Sequence, residues 1–546
     1  MTPARPTAAA AAVVALALAL AAGTACSPPP PAARRTTPTV APKAAAAAAP
    51  IATPPRLVVL VIVDQLPAWA FLQKRPQLTG GFDRLLREGE WHTGEHPSAA
   101  AITAPGHAVI STGEPPATSG ILANQWYRRA QDRLLASVQD PDAPGAASAR
   151  WLRVPGIADA VAAAGTGAKA VSVSLKDRAA ILSLGRAGLP IWYDRKAVAW
   201  TSTAPPAWLA EHNRKAPIAA RLKERWTADP RRLAALSGTT DDQPGEAGEA
   251  GFGPTFPHDM TATKEPAYAL LATPTGNQVV LDAALAAIDG ESLGQDATPD
   301  LLVLSFSAHD YVGHGWGHES WEAWDMMLRL DEQLGRFLEA LDQKVGAGQW
   351  AMLVTSDHGA SPLPERAGGG RITYESIRES ANRAASTALG LGDWIADTKF
   401  PSVYLSAAAR ARTARDQQRA IAKIVYALRS YPGLGRVERT LDVAGNCEQR
   451  TGDTFLICLA LDPVESGEVF YMPARGWIMQ EAAEPLATGH GSLHAYDREV
   501  PLLLVPPDRK SHAPLTAPSE AKIQMVRVPI ILARWLGVAP PQKLPR

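Results

Sequence analysis

Residues 57–64 read LVVLVIVD: seven apolar side chains without a break, then a carboxylate. An unbroken apolar run of that length fits a strand buried on both faces, as in the interior of a parallel sheet. LLVLSF (301–306), AMLVT (351–355) and PLLLV (501–505) have the same character, and KAVSVS (169–174) is a shorter candidate. Helical patterns lie between them: GFDRLLREG near 81, GIADAVAAAG near 156, NQVVLDAALAAI near 277 and WEAWDMMLRLDEQLGRFLEAL from 321. Strands alternating with helices predict an α/β fold, a large central mostly parallel sheet flanked by helices on both faces. The 43 Gly and 47 Pro add inserted loops to it. Ligands of such sheets gather beyond the C-terminal strand ends. There the chain places acids: Asp64 after the first run, Asp310 after LLVLSF, Asp357 with His358 after AMLVT.

The chain has 546 residues, 46% of them apolar, and 54 basic against 54 acidic side chains. That composition supports a sizeable core and argues against nucleic acid as a dedicated partner. Arg5 precedes AAAAAVVALALALAAGTAC, a secretory signal over residues 1–25 rather than a span, because alanine dominates and no basic flank follows. Its end, GTAC, resembles a bacterial lipobox with Cys26 as the lipidated residue, and with Gly23 where a leucine-like residue is usual. Residues 26–55 read as a Pro/Ala tether, and 56–546 as one large domain with insertions. Within it SGTTDDQPGEAGEAGFGPTFPH (237–258) reads as a surface loop. With lipid on Cys26, the two remaining of three cysteines, Cys447 and Cys458, can close CEQRTGDTFLIC as a hairpin disulfide in an oxidising compartment.

ITAPGHAVIST (102–112) starts a helix. Proline is tolerated at the first helical position, so Pro105 would put Thr103 at or just before the cap, where free backbone donors favour an anion. Four further segments carry ligand chemistry: DQL with Asp64, SAHDYVGHGWGH with Asp310 and His314, SDHGA with Asp357 and His358, and TGHGSLHAYD with His490. Mixed Asp/His donors suit zinc. His318 also lies four residues from His314, but GWG between them disfavours a helix, so Asp310 is the preferred partner. His494 competes with His490, and His107 reads as structural.

The order Asp64, Thr103 in T-x-P-x-H, Asp310 with His314 in S-x-x-D-x-x-G-H, Asp357-His358-Gly359 and His490-Gly491 resembles the alkaline phosphatase superfamily. SLKDRAAIL (174–182), GILANQWY (120–127) and TPTGN (273–277) resemble the phosphate-irrepressible alkaline phosphatases of bacteria. The resemblance implies two Zn2+ per chain and a covalent phosphothreonine on Thr103. Asp310, His314 and His490 would hold one ion; Asp64, Asp357, His358 and the Thr103 oxygen would hold the other. It also implies a periplasmic or outer-membrane-anchored lipoprotein, otherwise a secreted one, acting on small-molecule phosphate monoesters. If the SVSLKDR strand continues, Lys176 and Arg178 share a face. With Asn124 as an amide donor they suit a monoester dianion. The alternatives are a nucleotide pyrophosphatase or phosphodiesterase with the same metal site, and an inactive lipid-tethered binding protein. No cysteine stands at the nucleophile position, which disfavours a sulfatase.

Overall fold

The computed structural model describes residues 54–143 and 145–542. The signal segment, Cys26 and nearly all of the tether lie outside the described residues.

LVVLVIV forms β1 (Leu57–Val63), every residue of it buried. The chain continues through β2 (Glu90–Glu95), β3 (Ala170–Ser174), β4 (Leu189–Asp194), β5 (Ala199–Ser202), β6 (Asp300–Phe306) and β7 (Trp350–Thr355). It then leaves for a smaller region holding β8 (Ile395–Asp397), β9 (Ser402–Leu405), β10 (Leu434–Arg439) and β11 (Val469–Pro473). It returns as β12 (Glu499–Val505) and β13 (Ile523–Gln524). The main sheet has nine strands in the order β13-β2-β12-β7-β1-β6-β3-β4-β5. Its centre, from β7 to β4, is parallel throughout.

Alternation along β1 divides the core into two layers. Leu57, Val59, Val61 and Val63 face one cluster. It includes Phe82 and Leu85 of α2 (Gly81–Glu88), which follows α1 (Ala68–Lys74). Val58, Leu60 and Ile62 face another, with Val109 and Ile110 of α3 (Thr103–Thr112) and Val161 of α4 (Ile157–Ala163). Next come α5 (Asp177–Leu182), α6 (Pro274–Glu291), α7 (Ala308–Trp316) and α8 (Trp321–Leu341). Ala284 of α6 and Leu334 of α8 join the first cluster. In the smaller region α9 (Tyr374–Leu389), α10 (Ala414–Arg429) and α11 (Gly452–Ala460) enclose a separate apolar core with β9 to β11. Finally α12 (Val528–Leu536) covers the second face of the main sheet. Among the described residues, no helix is long and apolar enough to cross a membrane.

Four local expectations need correction. PLLLV lies in β12, which is antiparallel to both neighbours; burial on both faces does not encode strand direction. The strand through SVSLKDR stops at Ser174, and Asp177 opens α5, so Lys176 and Arg178 share no strand face. An acid in a first helical turn, followed by two alanines, favours the helix. Cys447 and Cys458 are bonded, with Cα atoms 5.5 Å apart. The segment between them is a 3-10 turn and the start of α11, not a hairpin. The stretch 237–258 is not simply a surface loop: Ala250 and Phe252 enter the first core cluster. Its glycine-rich backbone lies against α7, where a Cβ on Gly315 would come 2.5 Å from Glu249 Cβ.

The candidate active site at the sheet edge

Register brings the acids together. Val63 pairs with Phe306 and Ile62 with Thr355, so Asp64, the start of α7 and Ser356-Asp357 leave the sheet at one edge. Because β12 runs the opposite way, it begins at this same edge, and the residues before it, with His490, arrive there too. β2 runs antiparallel to β12 and so ends there, delivering the chain to α3.

Thr103 is the first residue of α3, with Ile102 as cap and Pro105 third. That corrects its expected place at or before the cap. Proline fits the third position because the first four helical N–H groups have no partner within the helix. The Ala104 N–H donates to Asn124 Oδ1 at 2.8 Å, which leaves the Asn124 amide hydrogens for a ligand. Gly106 lets this helix end press on the chain just after β7, since a Cβ there would lie 2.1 Å from the Asp357 carbonyl oxygen. Thr103 Oγ1 stands 3.4 Å from His358 Nε2.

Three histidines are set alike. The Nδ1–H of His314 donates to the Thr488 carbonyl (2.9 Å), that of His358 to Gly359 (2.9 Å) and that of His490 to Ala101 (3.1 Å). A carbonyl only accepts, so each ring turns an Nε2 lone pair inward. These nitrogens meet carboxylates: His314 to Asp310 Oδ1 at 3.3 Å, His490 to Asp310 Oδ1 at 3.8 Å, and His358 to Asp64 Oδ1 and Asp357 Oδ2 at 3.5 Å each. Two groups of three have ligand atoms within 4.8 Å of one another: Asp310, His314 and His490, and Asp64, Asp310 and His358. Asp357 joins the second through His358, and also contacts His107 Nδ1 at 3.1 Å. His107 itself is buried against the Thr103 carbonyl (2.8 Å) and Ser305 Oγ (2.9 Å). The helix of His314 runs through Trp316 and ends at Gly317, which leaves His318 beyond it. Neither His318 nor His494 belongs to a ligand group.

The electrostatics are costly. Burial, then the charges of Asp310 and Asp357, pushes Asp64 well above the usual carboxylate range. Burial also acts on Asp310, but Lys176 and His314 hold it well below that range. Burial, then His358 and His314, keeps His490 neutral by lowering its pKa. Lys176 Nζ donates to Asp64 Oδ2 at 2.7 Å and Asp310 Oδ2 at 2.5 Å. Asp64 Oδ1 and Asp357 Oδ2 are buried without a hydrogen-bond donor. Orphaned carboxylate oxygens facing imidazole lone pairs fit divalent cations of the zinc type.

A cleft of about 470 Å³ opens over this edge, and Asn124, Arg178, His314 and His490 are among the residues that line it. Arg178 Nε is buried there without a partner. Tyr374, Lys399 and Phe400, from the smaller region, also line it. Sequence reasoning missed those three and also Gln65, whose side chain reaches Asp310 and His314. For Gln65 the available signal was adjacency to Asp64 in DQL; the wall residues carry none.

A mixed α/β sheet with Asp/His groups and a helix-borne threonine at one edge defines the alkaline phosphatase superfamily. Within it the chain belongs to the type I phosphodiesterase / nucleotide pyrophosphatase family, whose model matches residues 58–439. It is 29% identical over 510 residues to a protein of Myroides odoratus named calcium-transporting ATPase, covering 87% of this chain and 92% of that one. It is 32% identical over 342 residues to alkaline phosphatase PhoV of Synechococcus elongatus, covering 58% of this chain and 62%, less than two thirds, of the relative. The crystal structure of alkaline phosphatase PafA aligns with a TM-score of 0.78 and 25% identity, over 90% of this chain and 97% of that one.

Proposed function

We propose that the chain is a zinc-dependent alkaline phosphatase, a phosphoric monoester hydrolase that frees inorganic phosphate from diverse small-molecule monoesters through a phosphothreonine on Thr103. The observation that carries this reading is the donor set at the sheet edge: three Nε2 lone pairs and two orphaned carboxylate oxygens gather there, and one of those nitrogens, on His358, stands 3.4 Å from the Thr103 hydroxyl. Asp310, His314 and His490 would hold one ion, and Asp64, Asp357 and His358 the other, with the Thr103 oxygen. When bound, two Zn2+ supply Lewis-acid charge that favours the ionised threonine oxygen and the departing alcohol oxygen.

The residues of the chain do the rest. Thr103 Oγ1 forms a bond to phosphorus as the bond from phosphorus to the ester oxygen breaks, and the alcohol leaves. Water then cleaves the phosphothreonine, which returns the hydroxyl and releases phosphate. The Asn124 amide and Arg178 orient the phosphoryl oxygens. Lys176 offsets part of the negative charge on Asp64 and Asp310. Residues 56–546 act as one catalytic domain. Export to the periplasm, with a lipid on Cys26 or as a secreted protein, agrees with the Cys447–Cys458 bond, which needs an oxidising compartment.

A second reading, phosphodiesterase action at the same site, is favoured by the family model that matches. Rates for an aryl phosphate monoester and the matching diester, on zinc-loaded protein, separate the two. We expect the monoester to be hydrolysed faster and metal removal to abolish both reactions. A faster diester, or full activity in metal-free protein, rejects the proposal.

A further inference from the structure

Gln65 follows Asp64 directly and is fully buried. Its backbone is in the left-handed region, with φ at 61°. Residues other than glycine rarely hold that conformation unless the surroundings enforce it. Here all the enforcing contacts but one, to His318, lead to the candidate metal ligands. The Gln65 N–H donates to Asp357 Oδ1 at 3.2 Å. Its side-chain amide donates from Nε2 to Asp310 Oδ1 at 2.7 Å, and the same nitrogen stands 3.1 Å from His314 Nε2. The amide oxygen accepts from His318 Nε2 at 2.9 Å.

The orientation of the amide is thereby dictated: oxygen towards His318, hydrogens towards Asp310. His318 is in turn fixed by stacking on His309, with ring centroids 5.2 Å apart and planes 29° from parallel. His309 Nδ1 donates to the Asp64 carbonyl at 3.0 Å. Room for the amide comes from one glycine. A Cβ on Gly313 would lie 1.9 Å from Gln65 Oε1 and 2.8 Å from His318 Nε2.

We infer that Gln65 is a positioning residue that ties the two ligand groups together: its backbone holds Asp357, after β7, and its amide holds Asp310, on α7. A core glutamine satisfied by chance neighbours would not need a left-handed backbone, a glycine cradle and a histidine donor to its amide oxygen at once. This inference rests on the two-ion reading above.

The test uses the full chain loaded with Co2+, whose visible spectrum reports ligand geometry. Gln65→Met removes the amide donors, and Gly313→Ala displaces the amide without altering its chemistry. Partners of metal ligands of this kind typically change metal affinity by about 10–100-fold. We therefore expect either variant to lose one of two ions to a chelator about 10–100-fold more readily, with an altered spectrum. The double variant should be no worse than the more severe single, because both remove one brace. Parent-like spectra and metal retention in both folded variants overturn the inference, and so do additive effects. If one variant does not fold, the other decides alone. A parent protein that takes up no divalent ion instead overturns the site assignment itself.

Discussion

The edge of the main sheet and the smaller region around α9 and α10 handle charge in opposite ways. At the edge, Asp64, Asp357, Asp310 and Lys176 are almost wholly withdrawn from water. In the smaller region the core is apolar, with Ile377, Ala381, Ile424 and Leu428 at its centre. Its ion pairs lie outside: Arg383 and Glu379 are 3.6 Å apart with side chains 71% exposed. Buried charge is a poor source of stability, since desolvation can exceed the attraction gained. Three crowded carboxylates therefore mark the edge as the place where chemistry is done. The smaller region supplies shape, closing the cleft with Tyr374, Lys399 and Phe400.

The sharpest way to break that division is Thr103→Ala. It should lower hydrolysis of an aryl phosphate by about a thousandfold or more, because the attacking oxygen is gone. Metal content and fold should persist, and Thr103→Ser should keep activity. Near-normal turnover in the alanine variant would sink the role given to the edge.

Arg178 and Lys176 come next. With its buried Nε free and its place on the cleft, Arg178 should act on the charge that a monoester has and a diester lacks. One charge-assisted contact contributes about 2 kcal/mol, so Arg178→Ala should cut monoester kcat/KM about thirtyfold and diester kcat/KM far less. Lys176→Met should depress both, because its ammonium serves Asp64 and Asp310. Equal proportional losses in Arg178→Ala would make that arginine structural and favour the diesterase.

Lys74, on α1 behind the edge, extends the contrast to stability. Burial lowers its pKa to about 7, against the opposing pull of Glu319. Between pH 7 and the ordinary lysine value the folded chain has released a proton that the unfolded chain still holds. Stability from this group therefore rises with pH across that window, by at most about 1.4 kcal/mol per unit. Denaturant unfolding of Lys74→Met over the same range should show a flatter profile; an unchanged slope would mean Lys74 keeps its proton.

The smallest effect belongs to the other region. Arg383→Ala removes an exposed pair and should shift unfolding free energy by no more than about 0.5 kcal/mol. A loss of several times that would show that surface charge supports this region after all.

The parts of the fold legible in the sequence are those buried on both faces. β1, β6 and β7 announce themselves as apolar runs, and the acid after each marks the edge. β2 does not: EWHTGE is mostly polar and partly exposed, and it is held by its pairing with β12. The smaller region is hidden for a related reason. LGRVER pairs with VFYMP across some thirty residues that contain α11 and the disulfide, so its order comes from distant contacts rather than local pattern. Within the site, titratable ligands declare themselves by residue type. Gln65 does not, because an amide gains its meaning only from what surrounds it.

The central place of β1 has a consequence for biosynthesis. Its two partners, β6 and β7, leave the ribosome roughly 240 and 290 residues later, on the order of 10–60 s at ordinary rates of translation. During that delay LVVLVIV is a bare, uncharged, strand-forming segment with both edges unpaired, the type of sequence that seeds aggregation. β1 therefore gains both of its partners only once the middle third of the chain has been made.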